Sequence, residues 1–155
     1  MATIEPHQCT LRQTVSCCGV GLHSGKAVNL TIRPAAENSG IRFYRSDLGG
    51  KKAIPARMEQ IVDTRLATTL GNGTEHVSTT EHLMAALHSA GIDNATIEVD
   101  SPEVPIMDGS AGPFVHLLKR GGKQQQQALR QVLRITQPIS TTSGAKSIRI
   151  EPSEG

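Results

Sequence analysis

The sequence predicts an α+β fold, a two-layer α/β sandwich in which a mainly antiparallel sheet carries helices on one face. Three observations carry that expectation. Period-two alternation dominates the first third, one strongly helical segment follows, and 15 Gly with 8 Pro supply the turns that short-looped strands need. Hydrophobic residues are 37% of the 155, enough for one core, while aromatics are only 2%, with no Trp. So few aromatics argue against a base-stacking module, and a net charge of +2 argues against a phosphate-backbone binder; no nucleic-acid partner is expected.

Leu11, Gln13 and Val15, then Val28, Leu30 and Ile32, set every second residue on one face. The glycine-rich reversal Gly19-Val-Gly-Leu-His-Ser-Gly25 between the two runs makes them an antiparallel pair. Residues 41–44 read as another strand, ending at Asp47-Leu-Gly-Gly50. Residues 58–70 mix Ile, Val, Thr and Leu without a strong period, and Gly71-Asn-Gly-Thr74 closes them with a turn. Ser78-x-x-Glu81 has capping-box spacing, so a helix is expected through residues 83–90, with Gly91 ending it. Residues 95–99 alternate as a strand, after which Pro102 and Pro105 force a loop down to Asp108-Gly109. A second helix is expected to start near residues 110–113 and run through 114–119, with Gly121-Gly122 stopping it. Lys123 and the glutamine run 124–127 form the one low-complexity segment. The organisation read from this is a first domain over 1–122, a Gln-rich linker over 123–127, and the opening hairpin of a truncated second domain over 128–155. The arms of that hairpin are expected at 132–135 and 147–151.

No apolar run approaches the roughly 18 residues that span a bilayer, so no transmembrane segment is expected. The first ten residues lack the basic and apolar regions of a signal peptide. Cys9, Cys17 and Cys18 are odd in number and two are adjacent, which favours reduced thiols in a cytoplasmic protein. They make no C-x-x-C zinc pair. Residues 19–26 are not a phosphate loop: five residues separate Gly19 from Gly25, Ala27 stands where Ser or Thr belongs, and a strand pattern follows.

The chain has six histidines and no H-E-x-x-H pattern. On a helical projection of about 100° per residue from His82, Leu83, Leu87 and Met84 fall near 100°, 140° and 200°. That is the expected core stripe, with His82 nearly opposite it among Ala85, Ala86 and Ser89. Glu81 and His82 share the first turn, where the positive helix end favours a carboxylate and an uncharged imidazole. A hydrolytic metal site uses that arrangement. Spacing alone also describes a capping glutamate beside a surface histidine, and on spacing alone this plainer reading is preferred.

Four stretches carry a resemblance: Val20-Gly-Leu-His-Ser-Gly-Lys26, Leu30-Thr-Ile-Arg-Pro-Ala35, Ser78-Thr-Thr-Glu-His-Leu-Met-Ala-Ala-Leu87 and Pro102-Glu-Val-Pro-Ile-Met-Asp-Gly-Ser-Ala111. Over residues 10–122 the chain resembles the amino-terminal half of the UDP-3-O-acyl-N-acetylglucosamine deacetylases, zinc enzymes of lipid A (lipopolysaccharide) biosynthesis in Gram-negative bacteria. The resemblance implies a fold like ribosomal protein S5 domain 2, a cytoplasmic hydrolase and UDP-3-O-acyl-N-acetylglucosamine as substrate. It matches His82 to the family's first zinc ligand and Glu81 to its general base. It sets Leu22 near the acyl-chain passage, and Leu66 and Ala67, in an inserted segment, along the substrate cleft. The family's other two zinc ligands lie in a His-Lys-x-x-Asp motif of the second domain, where a further histidine acts as an acid. This sequence has no His-Lys pair and its last histidine is His116. The resemblance therefore implies one zinc ligand out of three and an inactive isolated chain. The alternative is a non-catalytic module that holds the nucleotide-sugar lipid.

Overall fold

The computed structural model describes residues 6–153. Residues 1–5 and 154–155, the ends of the two expected domains, lie outside the described residues. The chain runs β1 (His7–Leu11), β2 (Val15–Val20), β3 (Ala27–Pro34), β4 (Ile41–Arg45), β5 (Ile54–Pro55), β6 (Ile61–Asp63), β7 (Thr69–Gly71), β8 (His76–Val77) and α1 (Glu81–Ala90). It continues through β9 (Ala95–Val99), α2 (Gly112–Gly121), β10 (Lys123–Leu129), β11 (Ile139–Ser143) and β12 (Lys146–Ile150).

The central sheet has the order β2-β3-β9-β4-β5, antiparallel throughout except for the β4–β9 pair. Its inner face follows from strand alternation. Val28, Leu30 and Ile32 of β3 are buried, and Leu30 and Ile32 lie opposite Val99 and Ile97 of β9. Phe43 of β4 flanks Ile97 from the other side. Leu83 and Leu87 of α1 and Phe114, Leu117 and Leu118 of α2 close over this face in one core. Each fully buried side chain of this kind contributes about 1.5–3 kcal/mol relative to exposure. The outer face is polar: Arg33 grips Glu98 through two contacts of 3.0 Å, and Ser16 meets Thr31 at 3.0 Å. The two-layer α+β expectation therefore holds. A smaller antiparallel sheet, β6-β7-β8, leads into α1. Among the described residues no helix is long and apolar enough to cross a membrane.

Three expectations about elements are corrected. Leu11, Gln13 and Val15 are not one strand: the chain bends over residues 12–14, where the Arg12 and Gln13 amides donate to the carbonyls of Gly122 and Gly121 at 2.9 and 3.1 Å. Leu11 and Val15 are both buried on either side of this bend, and that imitates a period of two. The glutamine run over 123–127 is not a linker, because it lies in β10, paired antiparallel with β1 through Thr10–Gln124 and Leu11–Lys123. Gln126 donates to the Ala35 carbonyl at 3.0 Å and accepts from Asn94 at 2.8 Å, so the run is tied into the first layer by amide groups rather than apolar burial. The last hairpin pairs Ile139–Ser143 with Lys146–Ile150 around Gly144, whose φ is +59°. Such a tight turn requires arms that abut it, so residues 132–135 lie outside the strands.

Candidate functional site

The start of α1 is set by contacts distant in sequence. Ser78 forms a parallel bridge with Glu103: its amide donates to the Pro102 carbonyl at 2.8 Å, and the Val104 amide donates back to the Ser78 carbonyl at 3.0 Å. Thr79 then adopts φ = +57°, a left-handed conformation that a β-branched residue rarely takes. The helical ladder begins only after it, with the Met84 amide donating to the Thr80 carbonyl at 2.9 Å. The expected capping box is therefore not formed. Thr80, not Ser78, occupies the N-cap position, and its side chain makes no cap hydrogen bond. Ser78 instead accepts from the Thr69 hydroxyl at 2.9 Å. The Glu81 carboxylate reaches sideways and accepts the backbone N–H of Thr68 through Oε1. Thr80 donates to the Thr68 carbonyl at 3.3 Å, so both backbone groups of Thr68 are clamped to the helix start.

The core stripe of α1 comprises Leu83, Ala86 and Leu87, with Met84 only partly buried. It is rotated towards Ala86 relative to the sequence expectation, which brings His82 from the far side of the helix to the stripe's edge. His82 is half-buried, and its Nδ1 is buried without a hydrogen-bond partner. A buried polar atom left so costs about 1–3 kcal/mol, which suits a nitrogen awaiting a ligand or a partner from outside these residues. Asp108 lies close enough to feel it. The Ser110 amide at 2.9 Å and hydroxyl at 2.8 Å hold the Asp108 carboxyl below its ordinary range, and His82 adds to the effect. Among the described residues, no three His, Cys, Asp or Glu side chains gather as a metal would require. His82 fits one ligand of a zinc ion and this set does not complete the sphere.

The turn between β2 and β3 joins the same region through Glu103, which is 3% exposed. Its carboxylate accepts the His23 amide at 3.0 and 3.2 Å, the Ser24 amide at 2.9 Å and the Thr79 hydroxyl at 2.8 Å. Burial pushes its pKa up, but these donors outweigh burial and hold it down at about 2. Gly21 is required here because a Cβ would overlap Glu103 Oε2 and the Ser24 hydroxyl. Leu22 is 57% exposed on this turn. Leu66 is 92% exposed at φ = +63°, two residues before the Thr68 amide that holds Glu81, and Ala67 between them is buried. The structure thus brings Glu81, His82 and the 66–68 segment together and ties the Leu22 turn to Thr79 through one carboxylate. The sequence reading missed Thr68, Thr79, Glu103 and Asp108 as site residues. The signal for Glu103 was a lone carboxylate set among Val and Pro in Pro102-Glu-Val-Pro105.

Comparison with known proteins bears on this geometry. The family model described as UDP-3-O-acyl N-acetylglycosamine deacetylase matches residues 8–155. A UDP-3-O-acyl-N-acetylglucosamine deacetylase of Methylococcus capsulatus is 51% identical over 148 residues, 96% of this chain and 49% of that protein. Its namesakes in an Anaeromyxobacter species and in Idiomarina loihiensis are 49% and 51% identical over 149 residues, again 96% of this chain and 48% and 49% of theirs. The chain spans about half the length of the curated relatives it matches.

Proposed function

The chain belongs to the UDP-3-O-acyl N-acetylglycosamine deacetylase family, and from that premise we propose that it supplies one half of a cytoplasmic, zinc-dependent amidohydrolase. The proposed reaction hydrolyses the acetamide of UDP-3-O-acyl-N-acetylglucosamine in lipid A biosynthesis and releases acetate. The observation that carries this reading is the pairing on one helical turn of an anchored carboxylate, Glu81, with an imidazole whose Nδ1 is buried and unpartnered, His82.

His82 is the ligand this chain offers the zinc; the remaining ligands belong to the part of the family's length beyond this sequence. When bound, zinc supplies Lewis acidity towards the amide carbonyl and towards water. Glu81 is the general base. The Thr68 N–H holds Oε1, which leaves Oε2 to take the proton from the water that attacks the acetamide carbonyl. Leu22 and Leu66, both exposed, are proposed to contact the acyl-bearing substrate. On this reading β11 and β12 are the opening hairpin of a second domain.

The test joins the second half of the Methylococcus capsulatus relative after Gly155 and measures acetate release. Glu81→Gln should retain the fold and the zinc while losing about 10²–10⁴-fold in rate. His82→Ala should lose zinc first and activity in consequence. Near-normal turnover in Glu81→Gln with unchanged zinc would show that Glu81 is not the base.

A further inference from the structure

We infer that Glu103 is a positioning residue for this site: one buried carboxylate holds both Thr79 and the His23–Ser24 turn, and so fixes the start of α1, with Glu81 and His82, against the turn that carries Leu22. The inference deepens the reading of Glu81 and His82 given above and rests on it for its functional meaning.

The geometry explains why a carboxylate is needed. The groups that donate to Glu103 are the His23 N–H, the Ser24 N–H and the Thr79 O–H, with the Ser24 side chain against the same carboxylate. An ionised carboxylate is the side chain that only accepts. A glutamine of the same shape keeps one acceptor oxygen and sets an NH2 among the His23 and Ser24 N–H groups, where only hydroxyl oxygens could accept from it. The turn lies 79–80 residues before Glu103 and Thr79 lies 24 before it, so one carboxylate bridges two segments distant in sequence, beside the backbone bonds that tie Ser78 to Pro102 and Val104 and Val20 to Ile106. Those segments share no strand pairing: the turn links β2 to β3 in the central sheet, and Thr79 follows β8 of the smaller sheet. Thr79 is also where the backbone is strained, two residues before Glu81. A left-handed β-branched residue persists only when its surroundings over-determine it. The Glu103–Thr79 hydrogen bond and the flanking Ser78 bridge to the Glu103 strand segment do that. Gly21, with no room for a Cβ, lets the turn close on the carboxylate.

The test is nuclear magnetic resonance on the 155-residue chain. In Glu103→Gln, the His23 and Ser24 amides should lose hydrogen-exchange protection about tenfold or more. The backbone resonances of residues 79–82 and the His82 ring resonances should shift, while the Leu30 and Ile97 amides keep their protection. Equal loss of protection throughout the central sheet would overturn the inference, as would a detached turn with residues 79–82 unmoved. If Glu103→Gln does not fold, the pair Thr79→Ser and Thr79→Val decides. Serine keeps the hydroxyl and should reproduce the parent resonances, valine should not, and equal behaviour of the two overturns the inference. In the chain extended by a relative's second half, Glu103→Gln and Thr79→Val should lower kcat about tenfold or more, with Thr79→Ser near the parent. An unchanged kcat in an active parent overturns the inference. An inactive parent refutes the proposed function instead, and the resonance measurements still decide the role of Glu103.

Discussion

Protonating Glu103 removes the charge towards which the His23 and Ser24 amides and the Thr79 hydroxyl converge, so the stability it contributes depends on pH. Its pKa is held at about 2 in the folded chain against an ordinary 4.5. Because the folded value lies below the unfolded one, the contribution is complete above about pH 4.5 and falls away as the pH drops through 4.5 towards 2. At pH 3, about 1.5 pH units under the ordinary value and at about 1.4 kcal/mol per unit, roughly 2 kcal/mol is lost. Asp47, Asp63 and Asp108 are also held below their ordinary values, so acid acts on them too. The measurement is therefore a difference: urea melts of the parent and of Glu103→Gln, followed by circular dichroism, at pH 7 and pH 3. The amide does not titrate, and the other carboxylates cancel. The parent should be the more stable protein at pH 7, and its advantage should shrink by about 2 kcal/mol at pH 3, roughly 4–8 °C in Tm for a domain of this size. A gap that stayed constant or widened on acidification would refute the argument that the converging donors hold an ionised carboxylate.

Two further outcomes are expected. Leu87→Ala removes a side chain that is 1% exposed in the core between α1 and the sheet, and should cost about 2–5 kcal/mol in a urea melt. Zinc should stay well below one equivalent in the purified 155-residue chain, because a single imidazole is a weak ligand. Elemental analysis that found about one tightly held zinc per chain would refute the assignment of His82 as a lone ligand here.

The parts of the fold that were legible in the sequence are those whose cause is local. The β2–β3 hairpin is fixed by alternation on both sides of a glycine-rich turn, and Gly91, at φ = +67°, ends α1 where its lack of a Cβ allows. The start of α1 was not legible at the same precision. Ser78 and Glu81 have capping-box spacing, yet a strand bridge to Glu103 captures Ser78 before it can cap anything. The glutamine run misled for a related reason: its pairing with β1 joins residues more than a hundred positions apart, and a strand stabilised by amide hydrogen bonds shows no apolar period. The candidate site divides in the same way. Glu81 and His82 stand together because they are consecutive on one helix, and that adjacency can be read directly. What surrounds them cannot: the Thr68 amide on Glu81 and the Glu103 carboxylate between Thr79 and the His23–Ser24 turn are contacts made by folding. In this chain the proposed pair of Glu81 and His82 is local in sequence and its geometry is not. Substitutions far from the pair in sequence, at Glu103 above all, should therefore alter its chemistry while the central sheet keeps its order.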